Sequence, residues 1–272
     1  MPRVFHLDCG PMRPWPAPLV DGHGRWRDAG HLVCHCLLIE GARELVLVDA
    51  GIGLQDIAHP ERLGRGFRSF ARPTMDPAMT AIEQIKRLGY SPSDVGHIVL
   101  THLDLDHAGG LADFPKAKVH IYDLELDAAL NPQGMFEKHR YRPAQFEHGV
   151  DWVRHTIHGE RWEGFDGVRL AIDREEILLV PLHGHSRGHA GVAVEDGEGW
   201  MLHCGDAYFN QHEIRSRKRM GGPLGLALFR NLLAADNRVR RSNVARLRVL
   251  AEAAPDVRIF SAHDPAELPA RE

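Results

Sequence analysis

In the segment Ile98-Val99-Leu100-Thr101-His102-Leu103-Asp104-Leu105-Asp106-His107-Ala108-Gly109-Gly110, an apolar run passes without a break into a dense polar one. The run His97–Thr101 predicts a short buried strand, and that strand delivers the chain directly into His102, Asp104, Asp106 and His107. Core packing does not account for four such residues, because an aspartate buried without a cationic partner carries a large desolvation cost. A plain hydrophilic turn is the bland alternative; histidine and aspartate crowded this way are the side chains that hold metal ions.

The pattern of a strand ending in a polar cluster recurs along the chain. Val33–Glu40 and Glu44–Asp49 read as a hairpin around Gly41-Ala42-Arg43, ending at Asp49-Ala50-Gly51. A helix is expected after Asp76 as N-cap and Pro77 at the first helical position, with Ala81, Ile82, Ile85 and Leu88 on one face and Gly89 closing it. Further strands are expected at Lys118–Tyr122, Glu176–Pro181, Ala190–Val194, Trp200–Cys204 and Val257–Phe260, the last preceded by a helix bearing Val244, Leu247, Ala251 and Ala254. Gly184-His185-Ser186-Arg187-Gly188-His189 follows one of these strands, Gly205-Asp206 another and His263-Asp264 a third. Alone, Asp206 and His263 are weak signals, since such residues often cap or line solvated loops. With strands and helices interleaved and no internal repeat or linker, the expectation is one domain over residues 1–272, of α/β or α+β class, its site assembled from loops at one sheet edge.

The succession LVDAG, HxDxDH, GHSRGH, GD and AHD between about residues 30 and 264 resembles the metallo-β-lactamase superfamily, and most of all its stand-alone hydrolases related to N-acyl homoserine lactonases and glyoxalase II. The resemblance implies an α+β fold, a four-layer αββα sandwich, with a dinuclear metal site at one edge. On matching positions it implies that His102, Asp104 and His185 hold one ion, that Asp106, His107 and His263 hold the other, and that Asp206 bridges them. It implies that His189 is a supporting or core residue rather than a ligand and that Asp49 orients a ligand imidazole. The chemistry implied is hydrolysis of a lactone, ester or thioester by hydroxide generated between the metals, with Asp106 and Asp206 at the catalytic centre and no protein nucleophile. No GxSxG motif competes with that reading.

Three positions depart from the pattern. Asp104 stands where the common motif has histidine; a carboxylate adds charge and a hard oxygen ligand, so zinc is expected first, with iron or manganese as alternatives. His183 stands where relatives have proline and is expected to be an exposed loop residue. Phe209 stands three residues after Asp206, where lactonases place a tyrosine, leaving Tyr208 as the candidate to assist the leaving group.

Composition narrows the partners. The 272 residues carry 33 Lys+Arg against 37 Asp+Glu, for a net charge of −4, which gives no general attraction to nucleic acid or an anionic membrane. The first ten residues lack the basic and apolar regions of a secretory signal, no run approaches the roughly 20 apolar residues of a membrane span, and the expected location is cytoplasmic. Four cysteines are too few for a disulfide scaffold, so free thiols are expected. The 19 histidines suggest metal, although His59, His139, His155 and His158 read as surface polar residues.

The expected partner is a small molecule, with a homodimer as an option. Trp15, Trp26, Met135, Phe136, Tyr141 and Phe146 are candidates for an apolar pocket wall or for ordinary packing. The alternative activity is a non-haem iron oxidoreductase of flavodiiron or persulfide-dioxygenase type, suggested by Asp104. A nuclease or phosphodiesterase is less favoured: the run Arg215-Ser216-Arg217-Lys218-Arg219 and the arginines Arg238, Arg240, Arg241, Arg246 and Arg248 read better as a solvated face or an anion-recognising patch.

Overall fold

The computed structural model describes residues 2–156, 160–172, 176–215 and 222–270. Twelve strands are named among these residues: β1 (Arg3–Asp8), β2 (His35–Glu40), β3 (Leu45–Val48), β4 (Val95–Val99), β5 (Lys118–Tyr122), β6 (Asp151–His155), β7 (Glu160–Trp162), β8 (Phe165–Arg169), β9 (Ile177–Pro181), β10 (Ala190–Glu195), β11 (Trp200–His203) and β12 (Arg258–Phe260). They form two six-stranded sheets, ordered β1-β2-β3-β4-β5-β6 and β12-β11-β10-β9-β8-β7.

Side-chain alternation explains the layering. In β2, Leu37 and Ile39 point one way and join Val46, Val48 and Val99 against Ile177, Leu179, Val192, Met201 and Phe260 of the second sheet, forming the core between the sheets. Leu38, one residue out of phase, points the other way with Leu47 and Ile98, and meets Ala81, Ile82 and Ile85 of the helix Ala81–Arg87. On the far side of the second sheet, Leu178, Val180 and Leu202 pack on Val244, Leu247 and Leu250 of the helix Asn237–Ala253. Helices, sheet, sheet and helices thus make the expected four-layer αββα sandwich.

The hairpin is as expected, with Leu37 opposite Val48 and Glu40 opposite Leu45. β4 to β6 then run parallel to β3 and to one another, so their carboxyl ends share one edge. The helix expected from Asp76 is split: Asp76 caps only the turn Pro77–Met79, and the Thr80 hydroxyl caps the helix proper. β1, β6, β7 and β8 were not expected; each has partly or fully exposed positions, which blur the apolar signal.

His183 is not an exposed loop residue but half-buried, its ring stacked on Tyr122 with centroids 5.2 Å apart. His155 is not a lone surface group either: His120 bridges it and His97 through ring nitrogens at 2.9 and 2.8 Å. His59 is exposed, and His158 lies outside the described residues. All four cysteines are free and buried. No helix among the described residues is long and apolar enough to cross a membrane.

Candidate metal centre

Every expected ligand sits just past the end of a strand at one edge of the sandwich. The helix Leu105–Ala108, following β4, carries Asp106 and His107; His185 follows β9, Asp206 follows β11 and His263 follows β12. Close backbone approach sets the first of these loops. Ala50 N donates to His107 O at 2.7 Å and Gly110 N to Gly51 O at 3.0 Å, and a Cβ on Gly110 would come within 2.4 Å of Ala50 O. That contact is the physical reason for LVDAG facing HAGG. At Gly205, with φ of +51°, a Cβ would lie 2.6 Å from His189 Nε2, and this closeness lets that imidazole accept a 2.9 Å bond from Asp206 N. Of the two roles left open for His189, support or core, the bond to Asp206 N favours support.

The structure brings His102, Asp104, Asp106, His107, His185, Asp206 and His263 into one cluster. Donor atoms of His102, Asp104, His185 and Asp206 lie within 4.8 Å of one another, and so do those of His107, Asp206 and His263. Asp206 spans the two groups: Oδ2 is 3.2 Å from His185 Nε2, whereas Oδ1 is 3.3 Å from His107 Nε2 and 3.0 Å from His263 Nε2. Asp106 Oδ2 stands 3.5 Å from His263 Nε2 and 3.9 Å from His107 Nε2.

The outer hydrogen bonds fix which imidazole nitrogen faces inward. His107 Nδ1 donates to Asp49 Oδ2 at 2.8 Å, and His263 Nδ1 donates to Val33 O at 2.8 Å. Thr101 Oγ1 donates to Asp49 Oδ2 at 2.8 Å and so accepts from His102 Nδ1 at 2.9 Å. In all three rings the outer nitrogen donates, so the neutral ring presents its Nε2 lone pair inward, the state a metal ligand needs. Nε2 of His102 and of His107, and Oδ1 of Asp206, are buried without a hydrogen-bond partner. Asp49 thus stands on the outer nitrogen of His107, where an orienting acid would be.

Around His107 and His263 the field calls for a cation. Burial disfavours protonation of both rings, yet Asp206 and Asp106 outweigh it at His263, pushing it up to about 9, and Asp206, Asp49 and Asp106 outweigh it at His107, pushing it well above the ordinary histidine range. Uncompensated carboxylates, inward lone pairs and unpartnered donor atoms together fit a divalent ion on Asp106, His107, Asp206 and His263.

The other half differs, because Arg140 reaches into it. Arg140 Nε donates to Asp104 Oδ1 at 2.6 Å and its Nη2 to Asp104 Oδ2 at 2.7 Å, a two-pronged grip on the carboxylate. The same Nη2 donates to His185 Nε2, and Nη1 donates to His185 O at 2.8 Å and Leu233 O at 3.0 Å. Burial would raise the Asp104 pKa, but Arg140 and His102 hold it well below the carboxylate range; burial and Arg140 together lower His185 to about 4. Arg140 was missed in the sequence, where it lies 36 residues from Asp104 with no spacing rule to link them. The available signal was the extra carboxylate itself, which called for a buried cation somewhere.

Tyr208 is not brought to the centre. Its ring is fully buried on the far side and its hydroxyl donates to Glu267 at 3.0 Å, because the chain after Asp206 turns position 208 into the core and position 209 towards the metals. Phe209 faces the centre, its ring 5.0 Å from that of His263 and 6.0 Å from that of His185. Cys34 is an unforeseen neighbour of Asp106 and His263, but its thiol donates to Gly10 O at 3.1 Å, and burial together with Asp106 raises its pKa well above the ordinary thiol value.

A cavity of about 320 Å³ opens onto Asp104, Asp106, Asp206 and His263, walled largely by apolar side chains including Phe67, Phe70, Phe136, Phe209, Phe229 and Leu233. Of the expected wall residues only Phe136 takes part: Tyr141 and Phe146 are buried in the first sheet's core, while Trp15, Trp26 and Met135 are exposed and away from the lining. His139, expected as a surface residue, is also at the cavity wall.

The arginine-rich helix exposes Arg238 and Arg241, while its other three arginines are engaged by the protein itself. Arg240 is buried and bonds Asn231 and Asn237, Arg248 donates to Glu213 O, and Arg246 lies 4.1 Å over the Phe165 ring. Of the other basic run, residues 216–219 lie outside the described residues.

The sequence model of the metallo-β-lactamase superfamily matches residues 29–263. A probable metallo-hydrolase of Mycobacterium tuberculosis is 42% identical over 265 residues, covering 97% of this chain and 80% of the relative. An N-acyl homoserine lactonase of Bacillus cereus is 27% identical over 192 residues, covering 69% of this chain and 68% of its own. Among solved structures, an N-acyl homoserine lactone hydrolase with N-hexanoyl-L-homoserine at its catalytic metal centre superposes with a TM-score of 0.70 at 20% identity, covering 97% of this chain and 94% of that one.

Proposed function

The chain belongs to the metallo-β-lactamase superfamily and is a metallo-hydrolase, and from that premise we propose that it hydrolyses a lactone or ester whose acyl part is apolar. The observation that carries this reading is the cavity: its apolar wall runs from the protein surface to Asp106, Asp206 and His263, so one end suits a hydrocarbon chain and the other a polar head. The lactonases among the relatives and structural neighbours act on molecules of that form.

A divalent ion bound at the centre supplies Lewis acidity and a water that ionises near neutral pH. The chain's own residues supply the rest. Asp49 and Val33 O hold the imidazoles of His107 and His263 in place, and His189 holds the Asp206 backbone, so that the centre is rigid before substrate arrives. Phe209 covers His185 and His263 and keeps water from that side. No phenol stands at this position, so any proton needed by the leaving group would be the one released by the attacking water and passed on by a carboxylate of the centre, or would come from solvent. Asp104 carries the one feature that favoured an iron oxidoreductase, and with both its oxygens held by Arg140 that feature loses its force.

The test is a series of N-acyl homoserine lactones and aryl esters differing in acyl length. kcat/KM should rise with chain length, and Phe229→Ala should raise KM for long acyl chains several-fold while leaving short ones unchanged. Turnover of phosphodiesters alone, or oxygen consumption by an iron form without hydrolysis, would overturn the reading.

A further inference from the structure

We propose that Arg140 is the resident cation of the half-site formed by His102, Asp104 and His185, so that this chain holds one divalent ion tightly, on Asp106, His107, Asp206 and His263, and admits a second only by displacing the guanidinium. This rests on the cluster being a metal centre, and it departs from two equivalent ions.

Two groups that would have to hold the first ion are already spent. Both oxygens of Asp104 accept from Arg140, which neutralises the carboxylate's charge, and the Nε2 of His185 accepts from the same Nη2, which occupies that imidazole's one inward lone pair. The guanidinium is not loosely parked. Its Nη1 is anchored separately on the carbonyls of His185 and Leu233, two backbone acceptors with no part in metal binding, and its side chain is only 6% exposed. Withdrawing it costs those bonds, and leaving it in place sets a positive charge against an incoming cation at short range in a buried site.

The residue pair also balances as a unit. Asp104 with Arg140 is neutral overall, as one imidazole would be, so the two residues together preserve the charge of the site while replacing a metal ligand by an internal ion pair. The other half shows the contrast: its rings meet carboxylates, with Asp206 Oδ1 3.3 Å from His107 Nε2 and 3.0 Å from His263 Nε2 and Asp106 Oδ2 3.5 Å from His263 Nε2, and the outer nitrogens of both rings are held by Asp49 and Val33 O. Arg140 also lines the cavity, which leaves the guanidinium edge beside the place where a carbonyl or carboxylate of the substrate would rest.

The experiment is a count of retained metal. Wild type and Arg140→Gln are loaded with Zn²⁺, dialysed against a buffer at low fixed free zinc, and assayed by plasma mass spectrometry, with circular dichroism and melting confirming the fold. Wild type should retain close to one ion per chain and Arg140→Gln close to two, the weaker site tightening about 10–100-fold. Arg140→Lys keeps the positive charge and should stay near one ion; it also serves should Arg140→Gln fold poorly. Asp104→His alone should not restore a second ion, whereas Asp104→His with Arg140→Gln should. Two ions of equal affinity in wild type, or one ion in every folded variant, would overturn the role of Arg140 while leaving the metal centre standing. No retained metal in any of them would overturn both.

Discussion

The two halves of the centre share Asp206 yet meet their need for positive charge differently. Around His107 and His263 three acids, Asp49, Asp106 and Asp206, face two imidazoles oriented by outer bonds, and only a proton or an ion can balance them. Around His102 and His185 the balance is already struck by Arg140, and His185 Nδ1 has no hydrogen-bond partner. An inward lone pair fixed by an outer acceptor prepares a ring for metal, while a lone pair already bonded to a guanidinium does not. The difference teaches that ligand identity read from a motif is incomplete until the charges around it are counted.

The largest expected effect comes from removing what the halves share. Asp206→Ala should abolish metal retention at low free zinc and lower kcat/KM by more than about 100-fold, because both halves lose their common carboxylate. A variant that keeps its metal and its rate would show that Asp206 does not join them.

Next comes Asp49, which orients His107 and, through Thr101, His102. Asp49→Ala should weaken the tightly held ion by about 10–100-fold, measured by competition with a chromophoric chelator. Affinity unchanged within a factor of two would place the orienting role elsewhere.

Smaller and purely structural is the effect of Glu267, which accepts from Tyr208 and from Ser261 N at 2.8 Å and so braces the loop bearing His263. Burial is the main cause that pushes its carboxyl from 4.5 up to about 7, so between those values the folded chain holds a proton that the unfolded chain has released. Its contribution is therefore fully present at acid pH and declines as pH rises through about 7. Glu267→Gln should flatten that decline by on the order of 2 kcal/mol in denaturant titrations between pH 5 and 8. An identical pH slope in the variant would contradict the assignment.

Much of this architecture was legible because apolar strands ending in polar clusters leave a strong local signal. β2, β5, β9 and β11 were read nearly to their ends, and the seven metal-ligating candidates converge as the motif order implied. What was not legible depends on long-range packing. β6 has exposed and half-buried positions and pairs with β5 at the sheet edge, so its sequence lacks an apolar run. Tyr208 and Phe209 are adjacent, and only the turn after Asp206 decides which of them faces the metals. Arg140 belongs to the helix Gly134–Arg140, whose sequence draws attention to Met135 and Phe136 as candidates for an apolar wall, and the meaning of its arginine emerges only when the fold sets it against Asp104.

The most direct test of the account follows metal and catalysis in the same sample. Metal-stripped enzyme is titrated with Zn²⁺, and separately with Mn²⁺ and Fe²⁺, while opening of a long-chain N-acyl homoserine lactone is followed by proton release. The account predicts no turnover without metal, then a rise that levels off close to one equivalent per chain. Turnover that survives complete removal of metal, or a metal-loaded protein that opens no lactone and cleaves no ester, would contradict it.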